Sequence, residues 1–387
     1  MAWRSLCTLS DLRRSFLAEH AAGVSFELLL QSYGISKSTA YALLARVRDS
    51  GEAAAVVVRS RAPHAHPNAL PPTTRERVLR LRKKYGWGPK KLYALYVEVY
   101  GLAGAPSVSS IGNILAACGE VRPYRPRKRR VLAATPLTQA KASNDVWAFD
   151  HKGPMRKLGS IEPLNVIDLH SRFWIGCAPL IAKSVQSTKD ACERWFDAFG
   201  PPKVIRVDAG SPWVSVQAPL GLTKLSVWWL SLGIRFEVAP TCQANGCIER
   251  LHGTMERDMN VDGVVDVRRH FERHRNLYNN TRPHEALGQR RPAAIYLPSK
   301  QPYVPLTYDP QDDGCDERRA VTTDGSIKWR GSLVFISEAF EKRIVGLRQV
   351  RATTWSVHSY GLELGVLEGD VFHATRTLGT TQASQTT

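Results

Sequence analysis

Three acidic residues are spaced so that their carboxylates could meet and do chemistry. Asp150 and Asp208 each close a short apolar, β-prone run, Val-Trp-Ala-Phe-Asp over 146–150 and Val-Ile-Arg-Val-Asp over 204–208, and Glu249 lies between Ile248 and Leu251 on a segment of helical character. If the strands holding the aspartates lie side by side, the two meet near the strand ends, and Glu249 completes the set from a helix over that edge. Carboxylates converging on one point repel one another unless cations sit between them. Two Mg2+ ions relieve that repulsion, one activating an attacking oxygen and the other stabilising a leaving oxygen in phosphoryl transfer; Mg2+ suits an all-oxygen ligand set and keeps several waters. Taken alone, Glu249 also reads as a solvated helical acid, because glutamate is a good helix former and most such residues are exposed.

Other acids compete for these roles. Asp168 ends the run Val166-Ile167-Asp168, but a hairpin through 152–160 sets Asp150 opposite about residue 163 and Asp168 roughly 17 Å away at ~3.4 Å per residue. It is read as capping a turn or bonding Arg172. Asp145 and Glu193 fit solvated positions.

The rest of the chain must position these acids and supply a substrate. At 387 residues it is long enough for two to four domains. The 53 Lys and Arg against 35 Asp and Glu give a formal net charge of +18 and a pI near 9.8. With no stretch resembling a membrane span, that balance favours nucleic acid over a lipid surface. The excess is uneven: residues 1–141 hold 23 Lys and Arg against 8 Asp and Glu, a net of +15. Seven scattered cysteines, odd in number and without Cys-x-x-Cys spacing, indicate reduced usage in the cell interior rather than a disulfide framework or a zinc finger. Met1–Ser10 lacks the apolar core of a secretory signal.

Residues 1–58 read as a first helix-turn-helix unit: helical periodicity through Leu30, a turn at Tyr33-Gly34-Ile35, and a second helix from an Ser36 cap to about Arg48. Its buried face is Ala40, Leu43, Leu44 and Val47. In such a unit the start of the second helix faces the major groove, here Lys37, Ser38, Thr39 and Tyr41. An ordinary helical hairpin fits the same pattern. Residues 59–72 form a Pro- and Arg-containing linker with Arg59 and Arg61 near phosphates. Residues 73–121 give three further helices, a second helix-turn-helix-like unit, with Pro89 opening the middle one ahead of Lys90 and Lys91. Residues 122–143 are a basic linker whose run Arg-Pro-Tyr-Arg-Pro-Arg-Lys-Arg-Arg ends in Arg127, Lys128, Arg129 and Arg130, a further expected phosphate contact.

From 144 to 300 the pattern changes to an α/β core. Strands are expected at 146–150, 161–168, 173–180, 204–208 and 236–239, and helices at 184–199, at 222–232 and around Glu249, giving a mixed five-stranded sheet. Residues 301–317 read as a linker, 318–371 as short β runs of a small barrel, and 372–387 as a disordered tail. On the Glu249 helix, Arg250, His252 and Arg257 follow the acid and are candidates for phosphate contact, with plain surface polarity as the alternative.

Several of these segments, in order, closely resemble bacterial insertion-sequence transposases with a retroviral-integrase-like catalytic core. They are Asn144-Asp145-Val146-Trp147-Ala148-Phe149-Asp150, Val166-Ile167-Asp168 with Ser171-Arg172-Phe173, Asp208-Ala209-Gly210, Asn245-Gly246 after Gln243 with Glu249-Arg250, and Arg282-Pro283-His284-Glu285-Ala286-Leu287-Gly288. The 41 positions from Asp208 to Glu249 lie within the spacing of that group. Tyr33-Gly34-Ile35-Ser36, Trp87-Gly88-Pro89-Lys90-Lys91 and the stretch from Asp324-Gly325 to Gly331 are similar as well, so the resemblance covers nearly the whole chain.

The resemblance implies an RNase H-like core with a DDE metal site, in which Asp150, Asp208 and Glu249 are catalytic and bind two Mg2+ ions that Mn2+ can replace. It implies a polynucleotidyl transferase that cleaves element ends and joins a DNA 3′-OH to target DNA. Tandem helix-turn-helix modules would bind terminal inverted repeats of double-stranded DNA. A homo-oligomer on DNA, no membrane partner, and a cytoplasmic, nucleoid-associated place in a bacterium follow. DNA contacts would include Lys37, Ser38, Thr39, Tyr41, Arg59, Arg61, Lys90, Lys91, Arg127, Lys128, Arg129, Arg130 and Arg250. The sequence departs from the pattern at Ala209, where the family usually has Asn, and at Cys242 and Cys247. Those departures carry the alternative reading, a catalytically weakened DNA-binding regulator derived from a transposase.

Overall fold

The computed structural model describes residues 8–58, 69–121, 137–155, 158–159, 161–240, 245–305 and 314–375. The chain divides into two compact units, Met1–Leu70 and Pro71–Thr387. The expected linker contacts Arg59 and Arg61, the basic run with Arg127, Lys128, Arg129 and Arg130, and Cys242 lie outside the described residues.

The first unit is helical. α1 (Leu9–Ala21) starts at a capping box, in which the Thr8 hydroxyl accepts from the Asp11 amide at 3.2 Å and the Asp11 carboxylate accepts from the Thr8 amide at 3.1 Å. α2 (Phe26–Tyr33) stops at Gly34, whose φ of 62° is the left-handed turn glycine adopts without penalty. The Ser36 hydroxyl then caps α3 (Lys37–Ser50) by accepting from the Thr39 amide at 3.3 Å, and α4 (Glu52–Val56) closes the unit. Ala40 and Leu43 of α3 are fully buried against Phe16, Leu17 and Leu29, while Leu44 and Val47 are half-buried, as the periodicity requires.

The second unit opens with α5 (Pro72–Tyr85), α6 (Pro89–Tyr100) and α7 (Val108–Ala117) around Val78, Leu81, Leu92, Leu95, Ile111 and Leu115. Gly86 at φ 68° ends α5, and Pro89 sits in the first turn of α6, where its missing N–H costs no helix bond.

The sheet that carries the acids follows: β1 (Val146–His151), β2 (Glu162–Asp168), β3 (Trp174–Leu180), α8 (Val185–Phe199), β4 (Val204–Val207), α9 (Lys224–Ser231), β5 (Arg235–Val238), α10 (Gly246–Asp258) and α11 (Val267–Asn280). The strand order is β3-β2-β1-β4-β5, with β1, β2 and β3 antiparallel and β4 and β5 parallel to β1. This is the expected mixed five-stranded sheet. Alternation along the strands sends Trp147, Phe149, Ile205 and Val207 towards α8 and α9, and Ala148, Ile167 and Cys177 towards α10 and α11. Trp195 of α8 lies so close to the sheet that a Cβ on Gly176 would come within 2.1 Å of two of its ring atoms, so only glycine fits there.

Two local expectations change. Asp150 pairs with Asn165, not with a residue near 163, because the connection turns later, with Met155 N bonding Ile161 O. Asp168 is therefore three residues from the Asp150 partner, about 10 Å at ~3.4 Å per residue. It caps the turn, as expected, its carboxylate accepting from the Ser171 amide at 2.7 Å and the Asn144 amide at 2.8 Å. Asp145 is not solvated: it accepts from the Lys141 and Ala142 amides and pairs with Lys203 at 2.9 Å.

The C-terminal strands are β6 (Glu317–Ala320), β7 (Ser326–Trp329), β8 (Ser332–Phe335), β9 (Ile344–Arg351), β10 (Thr354–Ser359), β11 (Leu362–Glu368) and β12 (Val371–Ala374). They do not form the expected barrel as one closed ladder. Five strands make an open antiparallel sheet, β12-β11-β10-β9-β6, and β7 and β8 pair only with each other. The turn where Thr322 N bonds Ser326 O lays that hairpin along the edge strands β6 and β12, so the edges are covered by packing rather than by hydrogen bonds. β6 takes up Glu317 from the expected linker, and β12 pairs with β11 over residues assigned to the disordered tail; 376–387 lie outside the described residues. This sheet is no tethered appendage, because Leu220 and Leu222 before α9 and Val227 on it share one apolar cluster with Trp329, Phe340, Trp355 and Val357. Lys224 also pairs with Glu341 at 2.7 Å.

Among the described residues no helix is long and apolar enough to cross a membrane. The five cysteines described, Cys118, Cys177, Cys192, Cys247 and Cys315, carry no disulfide.

Candidate functional site

Parallel pairing between β1 and β4 joins Val146 to Val204 and Ala148 to Arg206. The same offset, continued to the strand ends, brings Asp150 level with Asp208 just beyond β4. Residues level with one another in a parallel pair point to the same side, and the side shared by Ala148 and Asp150 is the one covered by α10. α10 is fixed there by Ile248, Leu251 and Met255, all buried against Ala148, Ile167 and Phe271. Its buried positions recur every three to four residues, which leaves Glu249 exposed in the first turn, where the helix N-terminus favours a carboxylate.

Asp150 senses the charges of the other two acids. The Asp150 carboxyl is pushed up to about 7, first by burial, then by the charge of Asp208, with Glu249 adding to the same effect. Asp208 accepts from the Gly210 amide at 3.1 Å, and a Cβ on Gly210 would stand 3.2 Å from a carboxylate oxygen. Glycine two residues after the acid is thus what lets the backbone approach it. Ala209 is exposed and offers no polar side chain.

His252, one turn after Glu249, points inward and not to a phosphate. Its Nδ1 lies 3.7 Å from Asp150 Oδ2 and its Nε2 3.2 Å from the Asn165 side-chain amide. Burial, then the charge of Lys152, lowers its pKa to about 4, so the ring is neutral at pH 7. Asn165 is fully buried and is the cross-strand partner of Asp150. If the Asn165 amide donates to Nε2, the Nδ1 proton faces Asp150 across 3.7 Å, so His252 borders the carboxylate without a direct hydrogen bond. The sequence signal for this was present, an i, i+3 spacing from Glu249 on one helix; what could not be read was that Asn165 stands across from Asp150.

Among the described residues no group of three His, Cys, Asp or Glu side chains is gathered tightly enough to hold an ion. The donor chemistry still suits a hard divalent cation. The donors are carboxylate oxygens from three separate elements, and the repulsion that lifts Asp150 is what a cation between them would relieve.

The expected nucleic-acid contacts divide. Lys37, Ser38, Thr39 and Tyr41 are all exposed on the first turn of α3; Lys37 has Glu27 at 3.6 Å, and the Tyr41 ring leans on Phe26. Arg250 is exposed on α10. Lys90 and Lys91 instead meet the loop after α11. Lys90 pairs with Glu285, and Lys91 is held down to about 8 by burial and then by the neighbouring Arg282 charge. Arg282 is buried, pairs with Asp258 and lies over the Trp87 ring at 5.6 Å, while Arg291 pairs with Glu98. The α5–α7 bundle is therefore seated on α10 and α11 through Trp87.

Residues 234–292, which carry Glu249 and the loop at Arg282, match the family model described as Integrase core domain. Among solved structures, the HTLV-2 integrase catalytic core domain in complex with magnesium, in its trimeric form, aligns at 14% identity over 41% of this chain and 100% of that one, with a TM-score of 0.34. The simian T-cell lymphotropic virus intasome in complex with PP2A regulatory subunit B56 gamma aligns at 13% identity over 75% of this chain and 98% of that one, with a TM-score of 0.36. Neither alignment is close enough to fix the fold by itself. The segment that holds α10 is thus similar to an integrase core domain.

Proposed function

We propose that this chain is a DDE transposase of the insertion-sequence type: it binds terminal inverted repeats, cleaves DNA at the element ends and joins a 3′-OH to target DNA. The observation that carries this reading is the β1–β4 register, which brings Asp150 level with Asp208 on the side of the sheet covered by α10, the helix of Glu249; burial and the charges of both acids raise the Asp150 carboxyl. Acids brought to the ends of two parallel strands and to the helix above them gain nothing for stability, and raised carboxyls in such places concentrate at functional sites. The match of residues 234–292 to an integrase core domain supports the same reading.

Asp150, Asp208 and Glu249 would hold two Mg2+ ions, with Mn2+ as a substitute. The bound ions would supply activation of the attacking oxygen and stabilisation of the leaving one. The protein's own part is placement. β1 and β4 fix two acids at one level, α10 brings the third, the Gly210 amide holds Asp208, and His252, contacting Asn165, stands beside Asp150. Lys37, Ser38, Thr39 and Tyr41 at the start of α3 would read the terminal repeat, and Arg250 would meet a phosphate beside Glu249. Synapsis of two ends calls for a homo-oligomer on DNA.

The test is to incubate the full chain with labelled duplexes carrying the inverted repeats that flank its coding DNA, with Mg2+ or Mn2+. End cleavage and joining that vanish in Asp208→Asn support the proposal. Specific binding without metal-dependent nicking or joining would instead leave a DNA-binding regulator, the reading that Ala209 favours.

A further inference from the structure

We propose that the solvent face of α5, formed by Arg77, Arg80, Lys83 and Lys84, is the phosphate-contacting surface of the α5–α7 bundle and lies along the backbone of duplex DNA. The inference rests on the DNA-acting reading above and assigns the contact to a helix that a helix-turn-helix expectation would pass over. In such a unit the last helix enters the groove, but here α7 carries no Lys or Arg at all. The start of α6 is cationic, yet Lys90 pairs with Glu285 and Lys91 is half-buried beside Arg282. α5 remains, with six Lys and Arg against one acid, Glu76.

Its geometry suits a phosphate backbone. Arg77, Arg80 and Lys84 follow i, i+3, i+7 spacing, so they share one face, and Lys83 borders it. All four are exposed, whereas Val78 and Leu81 fill the opposite, buried face. The face spans about 10 Å at ~1.5 Å per residue, long enough to meet successive phosphates. Two of these cations are steadied by aromatic rings rather than neutralised by carboxylates, since Arg77 lies over Tyr100 at 4.7 Å and Lys84 over Tyr85 at 5.1 Å. Arg82, on the flank of the helix, holds Glu120: its guanidinium bonds the Glu120 carboxylate at 3.3 Å and the Glu120 carbonyl at 2.7 Å. The sequence that follows Val121 holds six Lys and Arg in residues 122–130, outside the described residues. α11 is also basic, with four Arg against Glu272, but the acids just before it bring residues 256–275 to five Lys and Arg against five Asp and Glu.

The experiment is fluorescence anisotropy of a labelled duplex with the full chain over about 50 to 200 mM salt, the range in which counterion release dominates. It compares wild type, Arg77→Gln/Arg80→Gln/Lys84→Gln, and a charge-matched Arg268→Gln/Arg269→Gln/Arg273→Gln variant on α11. Glutamine keeps helix propensity close to that of Arg and Lys, and thermal melting confirms that each variant is folded. The expected result is a slope of log K against log salt shallower by about 2.7 for the α5 variant, at ~0.9 per phosphate contact, and little changed for the α11 variant. A wild-type slope in the α5 variant, or an equal drop in both variants, overturns the assignment. If end joining by wild type persists alongside such a result, only the α5 surface is refuted; if wild type shows no salt-dependent duplex binding, the DNA-acting reading falls with it.

Discussion

Asp150 shows how one side chain records the whole site. Its carboxyl is raised because it is buried and because two other acids face it, and His252 is kept neutral beside it. Replacing Asp208 by Asn should lower the Asp150 pKa and cost end joining on the order of 10²–10³-fold or more, the scale of losing one preorganised charge stabiliser. His252 should matter through orientation. His252→Ala should weaken Mn2+ binding by about 10–100-fold, the range for groups that orient metal ligands, while His252→Asn, which keeps a donor near the Nδ1 position, should recover most of it. Equal Mn2+ affinity in Ala and Asn variants, read by titration calorimetry, would show that the ring only fills space. The acids themselves were legible in the sequence, since each ends an apolar run or sits between buried helix positions. The inward turn of His252 was not, because it depends on a cross-strand partner fixed by the β1–β2 register, and that register came out two residues from the expected one.

At the scale of elements, strands and helices of the core follow the sequence closely where apolar periodicity is strong, as in β1, β2, β3 and α8. α11 escaped because its apolar stripe is thin, Val267, Phe271 and Tyr278 in a helix otherwise made of Arg, His, Asn and Glu with Leu277, and its polar excess hides it. Yet α11 and the loop after it seat the α5–α7 bundle through Arg282, Asp258 and Trp87. Arg282→Met should cost roughly 3 kcal/mol in urea melts, the lower end for removing one partner of a buried pair, because Asp258 is left uncompensated. The same region makes the fold sensitive to acid. Burial, before any neighbouring charge, lowers His151, His252 and His274 to about 4 and His284 to about 3, against the ordinary 6.5 of histidine. Each binds its proton more readily in the unfolded chain, so the stability they contribute is full above pH 6.5 and is lost as pH falls through their folded values. Asp150 acts in the opposite sense, its contribution being lost as pH rises from 3.8 through about 7. With His270 lowered as well, five histidines stand against two raised carboxyls, Asp150 and Asp168, so the melting temperature should fall as pH drops below 6.5. His284→Gln should make that fall shallower, and an unchanged acid limb would show that His284 titrates normally.

On the scale of the molecule, the C-terminal sheet is built into the core rather than hung from it, since Leu220, Leu222 and Val227 pack with Trp329 and Phe340. Phe340→Ala should therefore cost about 3–5 kcal/mol, the range for deleting a buried aromatic, and should lower one joint transition of core and sheet rather than a separate one. Two resolved transitions by calorimetry would contradict that coupling. The sequence showed short strands here but not their closure, because whether a hairpin joins a sheet or lies against it depends on the turn at Thr322. The central claim is that acids from β1, the end of β4 and α10 act as one cation site. It is tested most directly by the Mg2+- and Mn2+-induced rise in melting temperature at pH 7.5 of wild type, Asp150→Asn, Asp208→Asn and Glu249→Gln. The account predicts a rise in wild type that each single variant sharply reduces; a rise that survives all three substitutions would contradict it.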